Sequence, residues 1–271
     1  MIRTVPLLLL LAAPTGLLAQ QTAAPPPPPG LAGVQILPGW QAPDGSRIAA
    51  IRIALDPGWK TYWRVPGEAG IPPDLDFTGS RNIADLQVIW PTPVVFDQNG
   101  MRSVGYHDVL ILPIRITPRD LAKPVMLDAA MTFGICRNIC VPVSARLDAD
   151  LDGSGHADNR ISAAMADVPA PHPGLAHCTT EPISDGTRVT ARIDLPHDTG
   201  QIALFELRSN PMWVSESVMQ RQGDVLIAQA DFVPDAAQPF ALDTTDLRIT
   251  VLGKPAFGTD KSIEIDGCAA D

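Results

Sequence analysis

Val125 to Leu151 reads VMLDAAMTFGI, then CRNIC, then VPVSARLDADL: two β-like runs with a pair of cysteines between them, separated by three residues. Working outward, the same kind of run recurs. Arg47 to Leu55 alternates as RIAAIRIAL, Trp59 to Trp63 is aromatic-rich, Ile83 to Trp90 reads IADLQVIW and Val109 to Thr117 reads VLILPIRIT. Gly, Pro, Asp and Asn break the chain between them. Short strands at such intervals predict a β-sandwich.

The N-terminus carries Arg3 and then a leucine-rich apolar run from Val5 to Ala13. That is the charge and h-region of a signal peptide, too short to span a bilayer, with cleavage expected after Ala19. Gln20 to Gly30 is a Pro/Ala/Gln tether, extended and semi-rigid. No later stretch approaches the roughly eighteen uninterrupted apolar residues that a spanning helix needs. The mature chain is therefore expected to be soluble outside the cytoplasm, where disulfides are allowed. A net charge of -10 argues against nucleic acid or an anionic membrane surface as partner.

The folded part is long enough for two domains. Domain one is expected over 31–155. Asp158 to Val168 reads as one short helix, and Pro169 to Gly174 as a Pro-rich linker, so 156–174 separates the halves. The strand pattern restarts with Thr187 to Leu195, Ile202 to Leu207, Val225 to Phe232, Leu247 to Leu252 and Ser262 to Ile265. A second, smaller sandwich over 175–271 fits this pattern, and the whole is read as all-β.

Four cysteines allow three pairings. Cys136 with Cys140 closes a very short ring, whereas Cys178 with Cys268 joins the two ends of the second domain. In the chain-entropy model the short bridge contributes roughly 2 kcal/mol and the long one roughly 4 to 5 kcal/mol. The long bridge is a sensible structural staple. The short one adds little stability, so function explains it better: an incoming thiolate attacks one sulfur and the other leaves. Arg137 is a candidate to favour the thiolate. A bracing hairpin disulfide is the competing explanation. Zinc is disfavoured, because no further ligand pair stands at metal spacing. Copper(I) stays open, with Met101, His107 and Met131 as possible added ligands.

Trp59-Lys60-Thr61-Tyr62-Trp63-Arg64, Pro66-Gly67-Glu68-Ala69-Gly70-Ile71-Pro72-Pro73, Gly105-Tyr106, Leu112-Pro113 and Gly134-Ile135-Cys136 to Cys140-Val141-Pro142 together resemble the N-terminal periplasmic domain of the thiol:disulfide interchange protein DsbD. Within that family the chain is most similar to the ScsB-like branch. The resemblance covers about Leu31 to Leu151, and more weakly an extra immunoglobulin-like module after it. It implies two immunoglobulin-like sandwiches in tandem and a periplasmic relay. Cys136 and Cys140 would receive electrons from a membrane-embedded donor and pass them to thioredoxin-like proteins, with no bound cofactor or metal. It also implies a covering loop at about Phe96 to Tyr106, with Phe96 and Tyr106 as shields. Two departures stand out. The best-known members place five residues between their cysteines rather than three, and no transmembrane conduit or thioredoxin-like domain follows here, so the donor is expected to be another polypeptide.

Trp59, Tyr62 and Trp63 are read mainly as core and edge packing. Glu68 and Arg64 are expected to pair across their loop. His156, His172, His177 and His197 show no catalytic spacing, and no nucleophile elbow, P-loop, dinucleotide fingerprint or HExxH helix is present. The competing class is a non-catalytic binding module: a copper(I) carrier in copper tolerance, or an interaction domain braced by Cys136–Cys140.

Overall fold

The alternating runs become strands in the computed structural model, which describes residues 27–67, 70–98, 100–172, 176–195, 202–253 and 262–270. The signal-peptide stretch 1–19 and most of the tether lie outside the described residues. From Leu31 to Leu151 run β1 (Leu31–Gln41), β2 (Arg47–Leu55), β3 (Lys60–Tyr62), β4 (Asp74–Asp76), β5 (Ile83–Val88), β6 (Val94–Gln98), β7 (Met101–His107), β8 (Val109–Pro118), β9 (Val125–Cys136) and β10 (Cys140–Leu151). Helix α1 (Asn159–Ala166) follows. Then come β11 (Ala170–Pro171), β12 (Ala176–Ile183), β13 (Gly186–Asp194), β14 (Ile202–Leu207), β15 (Trp213–Val214), β16 (Val218–Gln222), β17 (Val225–Val233), β18 (Leu247–Leu252), β19 (Ile263–Asp266) and β20 (Ala269–Ala270).

Two sheets face each other in the first sandwich, ordered β1-β2-β8-β5 and β10-β9-β3-β7-β6, with β4 also on β9. Their inner faces meet through Ile51, Ile53, Leu112 and Ile114 on one side and Val104, Leu127, Phe133 and Ile135 on the other. β2 is buried on both faces, which is why its sequence lacks a polar alternate set. Ile161 of α1 covers its outer residues Ile48 and Ala50. Asp158 caps that helix by accepting from the Arg160 N–H.

The second sandwich pairs β11-β19-β18-β14 with β15-β17-β13-β12-β20, with β16 also on β17. Its core holds Val189, Phe205, Phe232, Ile249 and Ile265. Cys178 and Cys268 are disulfide-bonded at a Cα–Cα distance of 5.6 Å, tying β12 to the end of the chain. The Pro-rich stretch read as a linker contributes β11, which pairs in parallel with β19 and so joins the second sandwich. Its N–H groups explain this: Ala170 and His172 donate to Ser262 and Glu264, and the intervening Pro171 has no donor to place.

The two sandwiches are in apolar contact, because Ile202 and Leu252 belong to the first core cluster and Leu204 and Met219 pack against it. Arg64 crosses the same boundary to Glu206 at 2.7 Å and to Glu264.

Candidate functional site

β9 and β10 form one long hairpin in continuous register from Val125 opposite Leu151 to Cys136 opposite Cys140. Arg137, Asn138 and Ile139 make the connection. The two cysteines are therefore direct cross-strand partners. Such partners have Cα atoms about 4.5 to 5.5 Å apart in an antiparallel ladder, within the range a disulfide spans. Both are free thiols in this structure.

Strand parity decides which face they occupy. Leu127, Ala129, Met131, Phe133 and Ile135 of β9 point into the sandwich, so Gly134 and Cys136 stand on the opposite, outer face. Following the ladder, Cys140, Cys136, Lys60 and His107 share one row, and Pro142, Gly134, Tyr62 and Gly105 share the second row along. An outer face would normally be wet. Here Cys136 is only 7% exposed, Tyr62 1% and Lys60 9%.

Glycine makes that burial possible. A Cβ on Gly134 would sit 2.7 Å from Ile71 Cβ and 3.1 Å from Tyr62 Cε2. The Tyr62 ring thus crosses β9 at the one position without a side chain, and its hydroxyl meets Cys140 Sγ at 3.1 Å. The loop after β3 closes over the ring through Pro66, Gly70 and Ile71, and the Gly134 N–H donates to Ile71 O at 3.3 Å. Cys136 is buried next to the Tyr62 hydroxyl, while Cys140 is exposed beside Ile139, itself 74% exposed.

On the other side of Cys136 is a cavity of about 770 Å³ lined by Trp59, Lys60, Phe96, Gln98, His107 and Arg137 among others. The Lys60 ammonium donates to Ser103 Oγ at 2.8 Å and to Gln98 Oε1 at 3.3 Å, and lies 5.0 Å from the Phe96 ring centroid. Burial pushes the Cys136 thiol above its ordinary range, and its hydrogen bond with Cys140 adds to this. The Tyr62 hydroxyl and the Lys60 charge oppose that shift. Burial likewise pushes Tyr62 far up, so its phenol stays protonated and can donate to a thiolate.

The expected covering loop at Phe96 to Tyr106 is a hairpin, β6 paired with β7, turning at Gly100 with φ of 80°. Phe96 is opposite Ser103 on the outer face and lines the cavity with Cys136. Tyr106 is a correction. It is opposite Thr61, one register position from the cysteine row, and therefore points inward; its hydroxyl donates to Pro91 O at 2.7 Å in the core. The aromatic that contacts the cysteines from the adjoining strand is Tyr62, read from sequence as packing. Period two from Lys60 along β3, with a glycine across the ladder, was its only signal.

Trp63 is core, and Trp59 packs partly against it. The Arg137 side chain lies along Gly58, and its carbonyl accepts from Gln98 Nε2 at 3.0 Å. Glu68 lies outside the described residues, and Arg64 takes Glu206 and Glu264 as partners. Of the donors considered for copper(I), His107 lines the cavity with Cys136, whereas the two methionines stand apart. Met131 is on the inner face, and Met101 is six residues along β7 from His107, about 20 Å at the rise of an extended strand.

Residues 33–152 match the family described as thiol:disulfide interchange protein DsbD, N-terminal. Among solved structures, the N-terminal periplasmic domain of ScsB from Proteus mirabilis aligns over 84% of this chain and 90% of that one, with 23% identity and a TM-score of 0.62. Such a span takes in both sandwiches. No curated protein matches the chain.

Proposed function

We propose that this chain, whose residues 33–152 belong to the DsbD N-terminal family, is an exported thiol-disulfide relay working through Cys136 and Cys140. The observation that carries this reading is the placement of the two sulfurs as opposed partners at a hairpin end, one exposed and one buried. Exposure assigns the roles. The Cys140 thiolate attacks an acceptor disulfide, forming a mixed disulfide and releasing the acceptor's second sulfur as thiolate. Cys136 then attacks Cys140 Sγ, closes the Cys136–Cys140 bond and expels the acceptor's remaining sulfur. Two electrons leave the dithiol. A donor dithiol restores them by the reverse sequence, opening the bond at Cys140.

Thioredoxin-like acceptors and a membrane-embedded donor are the partners the family suggests, and the periplasm is the compartment, as for the related ScsB domain. Among the described residues no helix is long and apolar enough to cross a membrane. The exposed turn residue Ile139 gives a docking partner an apolar contact next to the reactive sulfur. The test is trapping. Cys136→Ser should accumulate a mixed disulfide through Cys140 with an oxidised thioredoxin-like protein, while Cys140→Ser should not. Equal trapping by both variants, or by neither, contradicts the assignment.

A further inference from the structure

We infer that Lys60 is a positioning residue for the exchange, supplying the positive charge against which Cys136 becomes a thiolate. The inference deepens the relay reading and rests on it. Three observations on the outer face lead there. Lys60 on β3 and Cys136 on β9 are direct register partners on one face and line the same cavity. Lys60 as a whole residue is only 9% exposed, and its ammonium is held by side chains of the same face. Its partners are neutral: Ser103 Oγ, Gln98 Oε1 and the Phe96 ring.

A buried ammonium is costly unless an opposite charge or good dipoles offset it. The two carboxylates lining the cavity are engaged elsewhere, Asp97 facing Arg102 at 3.9 Å and Asp108 facing His107 at 2.6 Å. Lys60 has no carboxylate partner among the described residues. The anion that completes the pocket is one formed during the reaction. When a donor thiolate attacks Cys140 Sγ, a new bond joins donor sulfur to Cys140, the Cys140–Cys136 bond breaks, and its electron pair leaves on Cys136 Sγ. The donor sulfur is oxidised and Cys136 reduced, and no proton is needed at that moment because the leaving sulfur is matched by Lys60. Better leaving groups leave faster.

The other charged or titratable groups around Cys136 do not fill this role. Tyr62 on β3 and Cys140 on β10 are neutral when protonated. His107 on β7 is paired with Asp108, Asp97 on β6 is acidic, and Arg137 in the turn lines the same cavity along Gly58 as the next residue in the chain, not as a cross-strand partner of Cys136. Lys60 also lowers the Cys136 thiol against the upward push of burial.

The experiment compares the mature protein with Lys60→Met, which keeps much of the stem and drops the charge, and Lys60→Arg, which keeps the charge. In a Cys140→Ser background the thiolate absorbance of Cys136 is titrated. In the two-cysteine protein the opening of the disulfide by dithiothreitol is timed. Lys60→Met should raise the midpoint by about one pH unit and slow opening roughly threefold, and Lys60→Arg should recover most of both. Unchanged midpoint and rate in a folded Lys60→Met overturn the inference while leaving the relay standing. If Lys60→Met does not fold, the unaltered protein still decides: the Lys60 Cε resonance should move as Cys136 titrates in the dithiol form and not over the same pH span in the disulfide form. No difference between the two forms overturns the inference. A pair that never closes into a disulfide overturns the inference and the relay together.

Discussion

Cys136 is the residue at which burial and chemistry oppose each other most directly. Its thiol is held above the ordinary range, and the sign of the consequence is fixed. Below the unfolded-state value both states carry the proton and stability is unaffected. As pH rises from there toward the folded-state value, the unfolded chain releases its proton first, and the reduced protein loses stability. Denaturation of the reduced protein should show this loss on the alkaline side, and Cys136→Ser should flatten the slope. Tyr62 acts on the same pair through one hydrogen bond. Tyr62→Phe keeps the ring over Gly134 but removes the donor, at a cost of about 1 kcal/mol to the thiolate. Exchange with a small disulfide should slow roughly fivefold while circular dichroism stays unchanged. The cysteine pair was legible in the sequence because spacing alone brings Cys136 near Cys140. Tyr62 and Lys60 were not, since their role depends on which strand lies beside β9, and that is set by tertiary pairing.

At the level of elements, the β9–β10 hairpin carries the site and Gly134 sets its cover. An added methyl there meets Ile71 and the Tyr62 ring, and neither is a free chain end that swings away. Gly134→Ala should therefore push the loop at 70–71 outward and expose Cys136. Alkylation of Cys136 at neutral pH should accelerate severalfold, with a stability loss of about 1 to 3 kcal/mol. Strands with clear apolar runs were readable, as β2, β8, β9, β10, β14 and β18 show. β1, β6, β7 and β12 were missed because β1 and β12 are interrupted by Gly or Pro, β6 is only five residues long, and β7 sets Arg, Ser and Gly among its apolar residues. Reading β6 and β7 as a loop also misplaced Tyr106, because a loop has no parity. A strand does, and parity turns alternate residues to opposite faces.

For the whole molecule, the all-β tandem was visible in turn spacing and in two clusters of runs, but the way the sandwiches meet was not. Contacts such as Arg64 to Glu206 and Glu264 join residues more than a hundred positions apart, and no local pattern encodes them. Arg64 is 14% exposed and stacks over Trp63 at 4.1 Å, next in the chain to the loop that covers Tyr62. Arg64→Ala should cost about 1 to 3 kcal/mol and raise hydrogen exchange in β14 and in the loop after β3, while Cys136 and Cys140 still close. The central claim is that this pair is a carrier of electrons rather than a brace, and its reduction potential tests that most directly. The mature protein would be equilibrated in glutathione or dithiothreitol buffers and its free Cys136 and Cys140 counted by alkylation and mass. A relay predicts a value between about -120 and -270 mV, among the thiol-disulfide oxidoreductases. A value below about -300 mV, with the pair resisting reduction in the folded protein, would contradict it.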